Sequence, residues 1–519
     1  MAESGGGPQA DSSKDKSRLG RYALPILTYM ALAVFAIFAA ASLYLHYFYF
    51  TALPDPFFQP DSPGYYLPAI NLWLGRPFGL SLLRTPGYPL FIAAILEVSP
   101  HFSSVMMVQH VIHVLTAVVS GALFFLFFKR SVALSFLVFL VVMLLPRPLV
   151  YAHTIMSDNL YALVFMVSLF LFFGAVEWGN SVLAAGAAIF SCLALFVRPV
   201  GLTLVGSLAF GFILLSGKTR QKLAVTYFLA VAILLLGWAS WNHAKRGFWG
   251  ITQKNGEVLF GSAAFLMDAQ SLPPEYAGEL EPILKSHPNL LSDHSWVMYD
   301  AAGPAAKLRQ LTPTQEELDF QLRRLAVRAI ETHPFRYAVH YLNDVLNYVL
   351  YAERPPEHIT PKEYALAKGL STYLHLTKNI PEARKLLKFN SNNFTNYFTD
   401  VASYSLYPFE IDTAFARAAA VVYLYGYWIP AAAVLFSLLL MFYGPLGKRL
   451  VFLLTLIFLH LYMTSMGAGV DGRYALNLEP LYFILFLNGL LSAAQLLKLF
   501  GRRHGIERTL RTAQGAPES

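Results

Sequence analysis

The sequence predicts an all-α polytopic membrane protein of about ten transmembrane helices, within a range of about nine to thirteen, and three observations predict it. Apolar residues make up 56% of the 519-residue chain and charged residues only 13%, with a mean hydropathy of +0.48, a balance that water-soluble chains do not carry. Apolar runs of membrane-crossing length recur along the whole chain. Between them, Lys and Arg gather in short clusters that fall on one side when the runs are counted off as spans. Aromatic residues reach 15%, with 41 Phe and 29 Tyr, which suits helices that cross a bilayer and anchor at its interfaces.

Taken in order, residues 1–22 are polar and rich in Gly and Ser, and read as a disordered cytoplasmic tail. The run at 23–50 is too long for the apolar region of a signal peptide and has no small-residue cleavage site, so it reads as a retained first span. Further spans are expected near 102–128, 131–150, 158–176, 181–197, 200–216, 223–241, 414–443, 450–466 and 474–497, with a boundary at Arg198-Pro199 between two short ones. Residues 23–241 thus form an N-terminal transmembrane module and 414–497 a C-terminal one, followed by a cytoplasmic tail at 498–519. Counting from a cytoplasmic N-terminus places Lys14, Lys16, Arg18 and Arg21, then Lys129-Arg130, Lys218, Arg220, Lys222, Lys448-Arg449 and Arg502-Arg503 on the same, inner side. The first outer loop, 51–101, is amphipathic and punctuated by Pro, Gly and Tyr, which predicts two short helices lying in the interface. The stretch 242–413 has helical periodicity in EELDFQLRRLAVRAIETHP and predicts a mainly helical outer domain.

The formal charge of +8 is explained by these inner-side clusters, so nucleic acid is not an expected partner. The single cysteine, Cys192, excludes an intramolecular disulfide and a Cys-based metal site. His153 and His243 read as satisfied interfacial residues, and no residues have strong metal-ligand spacing.

Four polar clusters sit at the outer ends of spans: Asp61 in QPDSPGYYLPA, Asp158 in TIMSDNLYALV, Arg198 in LFVRPVGL, and Asp471 with Arg473 in GVDGRYALNLEP. Ionisable groups at such positions are costly in lipid, so a shared wet cavity is their expected destination. Each also has a plainer reading. Asp61 and Asp158 both fit helix caps, and Arg198 and Arg473 fit side chains that reach for headgroups. Their joint placement on one face favours function. Guanidinium groups bind phosphate oxygens in pairs, and a carboxylate takes a proton from an attacking hydroxyl.

The segment DSPGYYLPAINLWLGRPFGLSLLRTPGYPLFIAAIL resembles the first outer loop of the GT-C superfamily of membrane glycosyltransferases, which includes protein O-mannosyltransferases and bacterial aminoarabinose transferases. The matching positions are Asp61, Tyr65, Gly75, Arg84, Pro86 and Tyr88. TIMSDNLY resembles the second acidic motif, with Asp158 where Glu is commoner; LFVRPVGL resembles the Arg-Pro step; GITQKNGEVLFGS and DGRYALNLEPLYF resemble the entry to the outer domain and a late Arg-Tyr motif.

The resemblance implies a GT-C-like bundle and a polyprenyl-phosphate-linked sugar donor reached from the bilayer. It further implies a single inverting displacement onto a hydroxyl acceptor on a glycan, lipid or protein, at the outer face of a bacterial inner membrane. Asp61 is then the expected general base, with Asp158 orienting the acceptor or sharing its hydrogen bonds. Arg84, Arg473 and Arg198 hold the departing phosphate, and Tyr65, Tyr66 and Tyr88 line the sugar site. No cofactor is expected, although a divalent metal held by Asp61, Asp158 and Asp471 is the alternative. The rival reading is a transporter or lipid-linked sugar flippase, for which midplane sites and matched halves are the usual marks; this chain shows neither an internal repeat nor midplane charges.

Overall fold

The computed structural model describes residues 33–47 in part, 56, 61–128, 132–145, 148, 151–216, 221–253, 255–268, 270–291, 294–350, 429–441, 447–468 and 476–494. Among the described residues every regular element is a helix. The tails at 1–22 and 498–519, the second half of the expected outer domain, and Asp471 and Arg473 lie outside them.

The described positions between 33 and 47 are helical. The first outer loop contains α1 (Pro63–Trp73) and α2 (Gly87–Val98), packed on each other. Pro63 opens α1, where its missing N–H is harmless, and Gly75, in the left-handed region at φ 66°, lies just past its end. Then come α3 (Phe102–Phe128), α4 (Val132–Leu144), α5 (Asp158–Trp178), α6 (Ser181–Val197), α7 (Gly201–Ser216) and α8 (Gln221–Arg246). The chain breaks between α6 and α7 where expected: Arg198 is extended and Pro199 cannot continue a helix. Helix α8 runs on to Arg246, past the expected end at 241, and stops at Gly247, whose φ is 81°.

A second group of helices follows: α9 (Asn255–Ala263), α10 (Pro274–Ser286), α11 (His294–Tyr299), α12 (Pro304–Leu311), α13 (Gln315–Thr332) and α14 (Pro334–Leu350). Helix α13 is the one the periodicity predicted. Thr314 caps it by accepting from Glu317 N at 3.1 Å, and Leu318, Leu322, Leu325 and Ala329 line its buried face. The chain returns through α15 (Ile429–Met441), α16 (Gly447–Ala468) and α17 (Leu476–Ala494).

Two cores result. The larger is a bundle of α3 to α7 with α16 and α17, rich in Phe: Phe172 meets Phe212 at 4.7 Å and Phe452 at 4.9 Å between ring centroids. Helices α3 and α4 approach at Gly121, where a Cβ would lie 2.7 Å from the Ser135 carbonyl oxygen. The smaller core belongs to α9 to α14. Among the described residues five helices, α3, α5, α8, α16 and α17, are long and apolar enough to cross a membrane. An all-α membrane protein is the class these elements support.

Candidate functional site

Asp61 lies in the turn before α1, whose N-cap residue, Ser62, makes no side-chain cap. The Asp61 carboxylate accepts from Arg84 Nη2 at 2.6 Å. Arg84 stands in the turn before α2, so the two short helices carry the two halves of one ion pair. Its other guanidinium nitrogen, Nη1, donates to Tyr65 Oη at 3.0 Å, and its Cζ lies 4.9 Å from the Tyr65 ring centroid. Burial works against the Arg84 charge, but the Tyr65 phenol and the Asp61 carboxylate outweigh it and raise the pKa above the ordinary value. The side chains of Arg84 and Asp61 are 24% and 36% exposed, so this pair is open to solvent on one side.

A second pair lies behind the first. Asp158 opens α5 and its Oδ1 accepts from Arg198 Nη1. This pair is buried, with side-chain exposures of 1% for Asp158 and 12% for Arg198. Ser157, at the N-cap position of α5, does not cap through its side chain; its hydroxyl donates to Tyr65 Oη at 3.4 Å. Tyr65 therefore links Arg84 to Ser157, the residue before Asp158. The second carboxylate oxygen, Asp158 Oδ2, is buried without a hydrogen-bond partner. Each of the two carboxylates thus has a guanidinium as its partner, beside its place at a helix start.

The aromatic residues divide. Tyr65 touches Arg84 and Ser157. Tyr88 is fully buried, edge-on to Tyr65 at 5.2 Å, and its hydroxyl donates to Gln109 Oε1 at 2.5 Å, so it supports Tyr65 from behind. Burial pushes the Tyr88 phenol well above its ordinary pKa. Tyr66 packs edge-on against Phe102 at 5.6 Å. Gly87, beside Tyr88, lets α2 sit directly on α6: a Cβ there would be 2.6 Å from the Phe196 carbonyl oxygen, and Thr85 Oγ1 donates to Val197 O at 3.1 Å. Arg473 cannot be placed against these groups, because it lies outside the described residues.

Several supporting residues are absent from the sequence reading. Gln109 Nε2 donates to Ala152 O at 3.1 Å and Thr154 O at 2.7 Å, fixing the approach to Asp158. Arg246 Nη2 donates to Leu80 O, and Gln253 N to Leu82 O at 2.8 Å, so the segment after α8 holds the loop that carries Arg84. The signal for Gln109 was a polar run, Gln109-His110 with His113, inside an apolar span. His153 is buried within the protein, with its Nδ1 3.1 Å from His110 Nε2, and His110 Nδ1 is 2.8 Å from His46 Nδ1. Among the described residues, no group of three or more His, Cys, Asp and Glu is arranged to hold a metal ion.

The arrangement offers one accessible carboxylate, one buried carboxylate with a free oxygen, and two guanidinium groups, gathered from the turn before α1, the turn before α2, the start of α5 and the end of α6. Such a set can bind a phosphate and accept a proton. Compared with known proteins, the chain matches no family model, no curated protein and no solved structure.

Proposed function

We propose that the protein is an inverting glycosyltransferase of the GT-C type. It moves a sugar from a polyprenyl-phosphate donor to a hydroxyl acceptor at the outer face of a bacterial inner membrane. The observation that carries this reading is the linked pairing of Asp61 with Arg84 and Asp158 with Arg198 through Tyr65 and Ser157.

An ion-paired carboxylate is a weakened proton acceptor, because the guanidinium favours its charged form. The reading therefore has Arg84 exchange partners: its guanidinium turns to the donor phosphate, and Asp61 is released to act as base. The acceptor oxygen attacks the anomeric carbon as its proton passes to Asp61. The bond from that carbon to the phosphate oxygen breaks, and the lipid phosphate leaves with the electron pair. Arg84, Arg473 and Arg198 stabilise the charge that grows on the phosphate. Asp61 is preferred to Asp158 as base because it is the more exposed carboxylate. Asp158 orients the acceptor. Tyr65 faces the sugar, with Tyr88 packed against it.

The test is to supply a panel of polyprenyl-phosphate sugars to purified wild-type and Asp61→Asn protein. Transfer by the wild type alone is expected. Full activity in the variant overturns the role of Asp61, and no transfer by either overturns the reaction class. The arginines supply the positive charge that a metal would otherwise bring to the phosphate, so activity should survive exhaustive chelation; loss with rescue by Mn²⁺ or Mg²⁺ overturns that part.

A further inference from the structure

Helix α14 belongs to both cores. Tyr337 and Tyr341 are buried in the core of α9 to α14, whereas Val345, one turn on, is buried in the bundle core and Val349 packs against it. Tyr341 lies 6.1 Å, ring to ring, from Tyr462, which sits inside the apolar span Gly447–Met466. Helix α14 also packs on α15. Its C-terminal half therefore runs down beside the spans, although the sequence reading assigned all of 242–413 to the outer side.

The other face of α14 is an open apolar stripe. Phe335 is 81% exposed, Val339 48%, Leu342 46% and Leu346 48%, at spacings that keep them on one side of a helix. Arg336, exposed at the N-terminal end, lies 5.9 Å over the Phe265 ring, His340 Nε2 is 3.7 Å from Asp344, and Asn343 is the exposed polar residue that flanks the stripe. A row of this kind is unfavourable in water and marks a contact with something apolar. Its continuity says what. Phe458, stacked on Tyr462 at 5.9 Å, is 42% exposed, as is Met463, so the helix against which α14 packs presents an apolar outer surface at that same depth.

We propose that α14 is seated in the outer leaflet, with Val339, Leu342 and Leu346 against the acyl chains of bilayer lipids and Phe335 near the headgroups. The helix then pins the α9 to α14 unit to the membrane surface. This inference needs the membrane alone and stands apart from the sugar-transfer reading.

The full chain, with Cys192→Ser, would carry a single nitroxide at Phe335→Cys, Val339→Cys, Leu342→Cys or Leu346→Cys and be reconstituted in phosphatidylcholine and phosphatidylglycerol vesicles. Collision with oxygen and with a water-soluble nickel chelate is then measured by power saturation. Lys285→Cys, whose native side chain is 74% exposed, serves as the water reference, and Leu438→Cys in α15 as the lipid reference. The expected result is an oxygen-to-nickel ratio several-fold above that of the water reference at positions 339, 342 and 346, rising from 335 to 346. Nickel access equal to the water reference overturns the seat in lipid. Exclusion of both reagents overturns it too, since protein then covers the stripe.

Discussion

Asp61 and Asp158 have the same chemistry in two environments, and their substitution should separate activity from stability. Asp61 is 36% exposed at the side chain, so Asp61→Asn should fold normally and lower kcat by ~10²–10⁴, the usual worth of a general base, as read in a transfer assay. Asp158 is 1% exposed, and Asp158→Ala leaves the Arg198 guanidinium buried without its carboxylate. That should cost about 3–5 kcal/mol and lower the thermal midpoint in detergent. The charged residues of this site were legible because an acid or an arginine at the end of an apolar run has few cheap places to go. Their partners were not. Nothing in TIMSDNLY says that Ser157 will turn from its helix to Tyr65, and Tyr88 reads the same whether it faces a sugar or Gln109.

At the scale of elements, the site depends on how closely α2 sits on α6. Gly87→Ala would place a methyl 2.6 Å from the Phe196 carbonyl oxygen, and backbone on backbone cannot yield as a side chain can. A loss of about 1–3 kcal/mol is expected, seen as a lower thermal midpoint, with activity falling because Arg84 is three residues upstream. The unit of α9 to α14 has its own tie, between Asp268 and His333 Nε2 at 2.9 Å, just past the end of α13. Burial would raise the Asp268 pKa, but the bonds from His333 and from the backbone of Ser271 and Gln270 outweigh it and hold the carboxyl below its ordinary value. The stability it adds is therefore present above the unfolded carboxyl pKa and is lost as the pH falls through the lower, folded one. Asp268→Asn should flatten the acid limb of a stability profile. Helix positions were readable from apolar run length and from the stop at Arg198-Pro199, while the overrun of α8 to Arg246 was not, since its last turn is polar and only Gly247 ends it.

For the molecule as a whole, α5 sets the two ends. Its 21 residues span about 30 Å at the helical rise. Asp158 at its start pairs with Arg198, and Glu177 near its end pairs with Arg449 at 2.7 Å, while Arg449 Nη1 also donates to Phe127 O at 3.0 Å at the end of α3. The Asp158–Arg198 pair and the Glu177–Arg449 pair thus stand at opposite ends of one membrane-length helix. Basic clusters are retained on the cytoplasmic side, so the end bearing Arg449 should face inward and the end bearing Asp158 outward. A lipid-linked donor is the sensible one only for that orientation, because the outer compartment lacks nucleotide sugars. Lys222, at the start of α8, and Lys285, in α10, are both exposed and lie on opposite sides in this scheme. In intact cells a membrane-impermeant maleimide should label Lys285→Cys, and should reach Lys222→Cys only after permeabilisation. The reverse pattern would turn the Asp61–Arg84 pair towards the cytosol, where a nucleotide sugar is at hand, and the case for a polyprenyl-phosphate donor would fall with it.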